Sequence, residues 1–142
     1  MVLRPLAVHL DNGWNSEIAV RNIKNAVAKL GVDLHTIVLD WEEFKDIQLS
    51  FLKASVPDAE IPTDIAILGA LFKAAADEKI RYVINGHSFR TEGNSPIGWS
   101  YMDGRYVKSV QKIFGSKKLK TFTNVTIFDL LYYLILKRVR FV

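Results

Sequence analysis

The sequence predicts an α/β domain of Rossmann-like, three-layer type around a parallel sheet. Three observations predict it. Apolar runs short enough to be strands occur at 3–10, 32–39 and 81–85, segments with helical periodicity lie between them, and polar connections with Gly or Pro separate the two. At 142 residues the chain fits a single domain, 1–142, of a size that buries roughly two-thirds of its unfolded surface.

Residues 3–10 (LRPLAVHL) are mostly apolar without alternation, which suits a strand covered on both faces. Asn15 or Ser16 can cap the helix that follows, with Glu17 complementing its dipole. Ala19, Ile23, Ala26, Val27 and Leu30 mark its apolar face, and Gly31 stops it. Residues 32–39 (VDLHTIVL) form a second strand, and a strand–helix–strand unit with short connections makes the two strands parallel. A helix opens at Asp40-Trp41-Glu42-Glu43 and runs to about 54; Pro57 and Pro62 bracket a loop. Pro62-Thr63-Asp64 starts a helix burying Ile67, Leu68, Leu71, Ala74 and Ala75. Residues 81–85 (RYVIN) are the third strand, and 88–102 read as a loop. A helix follows over 103–114, with Tyr106, Val110, Ile113 and Phe114 on one side. Thr126 and Asp129 have capping-box spacing for a last helix, after which the chain is expected to end without another strand. Three strands are few for this many helices, so the expected sheet is narrow or incomplete.

Composition removes several function classes. Without cysteine there is no disulfide framework and no thiolate metal site, and His9, His35 and His87 lack metal-ligand spacing, so no metal site is expected. The longest apolar stretch, 130–136, is far short of the ~20 residues of a membrane helix. No leader is evident, and a soluble, cytoplasmic protein is expected. The net charge of +4 is mild; the clusters at 117–120 and 137–140 read as solvated surface, and no nucleic-acid partner is expected.

Ligands of open parallel sheets bind beyond the carboxyl ends of the strands. Two glycine-containing turns fall at such ends, Asp11-Asn12-Gly13 and Asn85-Gly86-His87. Asp11 could accept hydrogen bonds from ribose or an adenine amino group, although Asp-Asn-Gly is equally ordinary turn chemistry. His87 could meet a phosphate or carry a proton; His9 and His35 lie inside strands and are given no role. Glu92 and Arg90 lie in the long loop, where Arg90 could pair with phosphate. Trp14 and Trp99 could stack on a base or sugar, whereas Trp41 reads as packing. Asp64 is a helix cap unless a ligand recruits it. His87 and Glu92 are thus the catalytic candidates, with no reaction specified. No GxGxxG, Walker or GxSxG motif occurs. The residues by themselves suggest a binder of nucleotides or sugar nucleotides.

The run PLAVHLDNGWNSEIAVRNIKNAVAKLGVDLHTIVLDWEEFKDIQLSFLKASVPDAEIPTDIAI, continued by INGHSFRTEG, RYVKSVQKIFG and KLKTF, resembles the N-acetyl sugar amidotransferase family. Its members act in lipopolysaccharide, O-antigen and flagellin-sugar biosynthesis within the PP-loop ATPase superfamily. The resemblance implies an adenine nucleotide α-hydrolase-like fold. It also implies use of ATP, with Mg2+ accompanying the nucleotide, to adenylate the acetamido oxygen of a sugar nucleotide. Ammonia then displaces AMP to give an acetamidino sugar. A glutaminase and a cyclase-like, ammonia-channelling subunit are the implied partners, with a homo-oligomer as a further expectation. Residue by residue, Asp11, Asn12 and Gly13 match the adenosine side of the ATP site, and Gly86 and His87 the phosphate side. Asp64, Glu92 and Gly93 match positions near the acetamido sugar, with Trp14 and Arg90 as further sugar contacts.

Departures accompany these matches. The family's pyrophosphate loop, SGGxDS, does not occur in the sequence, Ile65 stands where His is expected, and Ser88 and Arg90 replace commoner Asn and Ala. The resemblance therefore implies a partial domain, truncated at both ends and without its first βα unit, with no amidotransferase activity by itself. The alternatives are a non-catalytic remnant that binds nucleotide or pairs with a subunit, and a tRNA-modifying PP-loop relative.

Overall fold

A computed structural model describes residues 3–86 and 102–142, and all structural statements concern these residues. They form a mixed α/β arrangement of short parallel strands and five α-helices. Strand β1 (Leu6–Asp11) pairs in parallel with β2 (Asp33–Val38), in register from Leu6 opposite Asp33 to Asp11 opposite Val38. Helix α1 (Glu17–Leu30) makes the crossover, as the sequence predicts. Ser16 Oγ caps it by accepting from Ala19 N–H at 3.2 Å, and Gly31 ends it in the left-handed region at φ 63°.

Helix α2 (Trp41–Lys53) is capped by Asp40, whose Oδ1 accepts from Glu43 N–H at 2.8 Å. Helix α3 (Ile61–Asp77) carries Pro62 in its first turn, where an absent N–H leaves nothing unbonded. Strand β3 (Tyr82–Val83), helix α4 (Gly104–Phe114) and helix α5 (Ile127–Leu131) follow. At the start of α5, Asp129 Oδ2 accepts from Thr126 N–H at 2.8 Å, so the predicted spacing does serve as a cap. The helix then widens into a π turn over Tyr132–Leu136. The chain does not stop after it: Arg140–Phe141 forms β4, parallel to β3.

Expectation and structure part at the sheet. The strands form two separate parallel pairs, β1–β2 and β3–β4, rather than one sheet of three. Helix α3 touches both pairs, meeting β1 and β3. Its apolar residues divide accordingly. Ile61, Ile65 and Ala66 join Leu39, Phe44, Ile47, Phe51, Val107, Val110 and Phe122 in one buried cluster. Phe72 and Ala75 join Val83 and Val139 in a second, with Tyr133 stacked on Phe72 at 5.0 Å. Each fully buried Phe or Ile contributes about 1.5–3 kcal/mol, so most of the stabilisation lies along α2, α3 and α4. Gly69 lets the 121–125 segment cross α3 closely: an added Cβ would strike the Thr123 carbonyl, and Thr123 Oγ donates to Ala66 O at 2.7 Å. Helix α1 is different, since none of its side chains is fully buried.

Candidate functional site

The turn after β1 is built from side chains that bond their own backbone. Asp11 Oδ1 accepts from Gly13 N–H at 3.0 Å and from Asn15 Nδ2 at 3.3 Å. Asn12 Oδ1 accepts from Trp14 N–H at 3.3 Å. These are two successive Asx turns, the reason Asp and Asn favour such positions. Gly13 takes φ 87°, and an added Cβ would run into the Trp41 ring. Both demands select glycine without any ligand. The turn's shape is therefore fully explained by its own packing, while Asp11 Oδ2 carries no hydrogen bond among the described residues.

What the turn does is hold Trp14 out. Trp14 remains 63% exposed, meets Trp41 edge to face at 5.2 Å between ring centroids, and donates its indole N–H to Gln48 Oε1 at 2.6 Å. Behind this pair lies a cavity of about 330 Å³ lined by Trp14, Trp41, Lys45, Gln48, Leu49, Leu52, Ala59 and Glu60. Apolar walls with a few polar groups are the composition of small-molecule sites, and the volume is at the small end of their range. Two ring faces, one amide, one ammonium and one carboxylate suit a planar ring or sugar with polar edges. A nucleoside fits that donor set. Among the described residues Lys45 is the one cation that lines it.

Six of the residues that line it, Lys45, Gln48, Leu49, Leu52, Ala59 and Glu60, escape the sequence reading. Trp41, Lys45, Gln48, Leu49 and Leu52 share one face of α2, and Trp41 alone was noted, as packing. The signal was present: α2 is apolar on two sides, with Phe44, Ile47 and Phe51 buried while Trp41, Leu49 and Leu52 are exposed. A helix needs only one buried stripe, so the second is available for other work.

The other predicted residues scatter. Gly86 lies three residues past β3, outside the β3–β4 pair, with open space around a Cβ position and no left-handed backbone. It does not line the tryptophan cavity. Asp64 sits in the first turn of α3, one turn beyond Glu60 of the cavity wall. His87, Arg90, Glu92, Gly93 and Trp99 lie outside the described residues. His9 is half-buried within β1, 3.4 Å from Asn15 Nδ2. No group of three or more His, Cys, Asp or Glu side chains among the described residues could hold a metal ion.

The DWEEFKD block does structural work of a specific kind. Glu43 and Asp46, one turn apart on α2, are both buried. Glu43 accepts the N–H groups of Lys120 (2.8 Å), Thr121 (3.0 and 3.1 Å) and Phe122 (2.8 Å). Asp46 accepts from Gln111 Nε2 (2.6 Å), Ser116 N–H (2.8 Å), Ser116 Oγ (2.7 Å) and Lys117 N–H (2.8 Å). Burial by itself would raise the Asp46 pKa; the bonds from the Ser116 hydroxyl, the Lys117 and Ser116 backbone and Gln111 outweigh it and bring it down to about 2. Two carboxylates thus fasten the 116–122 loop to α2, and Thr121 Oγ in turn receives Asp40 N–H at 2.9 Å. Chemistry-bearing residue types here serve the fold.

No protein-family model, curated protein or solved structure matches the chain. Fold and site define it as a mixed α/β protein with one apolar, tryptophan-walled cavity beside the carboxyl end of β1. No helix among the described residues is long and apolar enough to cross a membrane.

Proposed function

We propose that the chain is a nucleotide-handling domain of the ATP-dependent N-acetyl sugar amidotransferase type, with the cavity beside Trp14 and Trp41 receiving the nucleoside end of its ligand. The observation that carries this is the cavity's position: it adjoins the turn at the carboxyl end of a parallel strand, where α/β domains bind nucleotides. The resemblance of the DNGWNSE, DWEEFKD and PTD blocks supplies the chemistry. The amide oxygen of an N-acetyl group leaves poorly until ATP converts it to an adenylate, after which ammonia from a glutaminase displaces AMP.

In this reading the chain belongs to the Rossmann-like PP-loop architecture. Trp14 or Trp41 stacks on the base, Gln48 and Glu60 bond its polar edge, and Asp11 offers its Oδ2 to a ribose hydroxyl. His87, Arg90, Glu92 and Gly93 would serve the phosphates and the sugar. The phosphate grip itself is not supplied, since SGGxDS does not occur in the sequence and, among the described residues, only Lys45 lines the cavity with positive charge. The 142-residue chain should bind adenosine and ATP with similar affinity and catalyse no ATP–pyrophosphate exchange. Calorimetry with both ligands, run beside an exchange assay, tests this. Adenosine failing to bind contradicts the nucleoside assignment, and measurable exchange contradicts the missing phosphate grip.

A further inference from the structure

We infer that Arg81, Arg138 and Arg140 form a binding site for a single phosphate group at the amino end of the β3–β4 pair. The inference is independent of the nucleotide reading, since the tryptophan cavity adjoins the other pair, at the carboxyl end of β1. Arg81 immediately precedes β3, and Arg140 opens β4. Arg140 N–H donates to Arg81 O at 2.7 Å, so the two backbones are tied where the pair begins. Val139 is buried in the core beside Val83 and Phe72, which leaves Arg138 and Arg140 exposed on either side of it. The three arginines and Tyr82 line a cavity of about 140 Å³. In sequence the basic run at 137–140 reads as solvated surface; the pairing of distant strands brings the Arg81 guanidinium to it.

These charges have no counterpart within the described fold. No acidic side chain lines the cavity, and no carboxylate among the described residues pairs with any of the three guanidiniums. Convergent like charges repel one another, and a bound anion turns that repulsion into attraction. The backbone at Arg138 is a second observation. It follows the π turn with φ 55°, in the left-handed region where a helix end ordinarily takes glycine. The chain therefore carries a guanidinium at a position whose conformation favours no side chain at all. Guanidinium forks match phosphate oxygens two at a time, and three forks around one space suit a tetrahedral group. The volume is less than half the roughly 300 Å³ at which drug-sized sites begin, so the space takes one phosphate rather than a base. Nucleic acid calls for cations along a groove with aromatic platforms, whereas these three converge.

The test is calorimetric titration of the 142-residue chain, at constant ionic strength, with inorganic phosphate, glucose 6-phosphate and hexaglutamate. The variants are Arg138→Gly, which suits the left-handed backbone while removing the guanidinium, and Arg140→Gln. Lys118→Gln takes one charge from the exposed 117–120 cluster and serves as control. Circular dichroism checks that each variant is folded. Inorganic phosphate should bind saturably and one to one, at least about tenfold more weakly in either arginine variant and unchanged in Lys118→Gln. Arg138→Gly should unfold at about the wild-type urea concentration, a separation of binding from stability that a merely structural arginine would not give. Glucose 6-phosphate binding as tightly as inorganic phosphate, or more so, makes the ligand a phosphomonoester; weaker binding makes it the free ion. Three results overturn the inference. One is phosphate binding that never saturates. Another is phosphate affinity that survives in both arginine variants or falls equally in Lys118→Gln. The third is hexaglutamate binding more tightly than phosphate and losing that affinity in the same variants, which makes the cluster a seat for an acidic segment.

Discussion

Replacing each clamp carboxylate by its amide should affect the protein unequally, and the hydrogen-bond geometry says which suffers more. In Glu43→Gln an NH2 group takes the place of one oxygen. Oε1 accepts from Thr121 and Phe122 N–H, and Oε2 from Lys120 and Thr121 N–H. Thr121 can keep the remaining carbonyl in either orientation of the amide. One of Lys120 or Phe122 then faces a donor, and a backbone N–H cannot reverse its role. A stranded buried donor with weakened charge assistance costs about 2–3 kcal/mol. Asp46→Asn escapes this. Its carbonyl can occupy the Oδ2 position and keep Gln111, Ser116 N–H and Lys117 N–H, while the new NH2 donates to the Ser116 hydroxyl, which rotates to accept. Only the charge assistance of these bonds is lost, about 1–2 kcal/mol. With a urea slope of about 2 kcal/mol/M, the Glu43→Gln midpoint falls by about 1–1.5 M and that of Asp46→Asn by less, about 0.5–1 M. Urea unfolding followed by circular dichroism measures both. A loss in Asp46→Asn equal to or greater than that in Glu43→Gln refutes the argument.

Further outcomes follow from the same geometry. Because the folded pKa of Asp46 is depressed from 3.8 to about 2, its contribution to stability is complete above about pH 4 and lost as pH falls toward 2; Asp46→Asn should be less acid-sensitive across that window, as pH-dependent urea midpoints would show. Gly13→Ala combines strain at φ 87° with a collision against Trp41. It should cost about 1–3 kcal/mol and shift the tryptophan emission, whereas an unchanged spectrum and midpoint argue against that packing. Ser16→Ala removes the bond to Ala19 N–H and should cost about 1 kcal/mol, with faster amide exchange confined to the start of α1.

Local features of the fold were legible in the sequence because short-range chemistry determines them. Ser16, Gly31, Asp40 and the Thr126–Asp129 pair all mark helix ends where expected, and the apolar runs at 3–10 and 32–39 overlap the parallel pair. Non-local pairing was not legible. Arg140–Phe141 is too short to read as a strand and exists through its partner β3, more than fifty residues earlier. The roles of Glu43 and Asp46 were equally hidden, since their partners lie about seventy residues away in the chain. At the candidate site, turn chemistry identified Asp11, Asn12 and Gly13, but what Gly13 makes room for is Trp41. The cavity's second wall was obscured because an exposed apolar stripe on a helix looks, in sequence, much like a buried one.

The nucleoside assignment at the tryptophan cavity is tested most directly by fluorescence in a Trp99→Phe background, which leaves Trp14 and Trp41 as the only reporters. Titrating adenosine should give saturable quenching that Trp14→Ala abolishes while the protein remains folded. Quenching that never saturates in the millimolar range, or that survives intact in Trp14→Ala, contradicts the account.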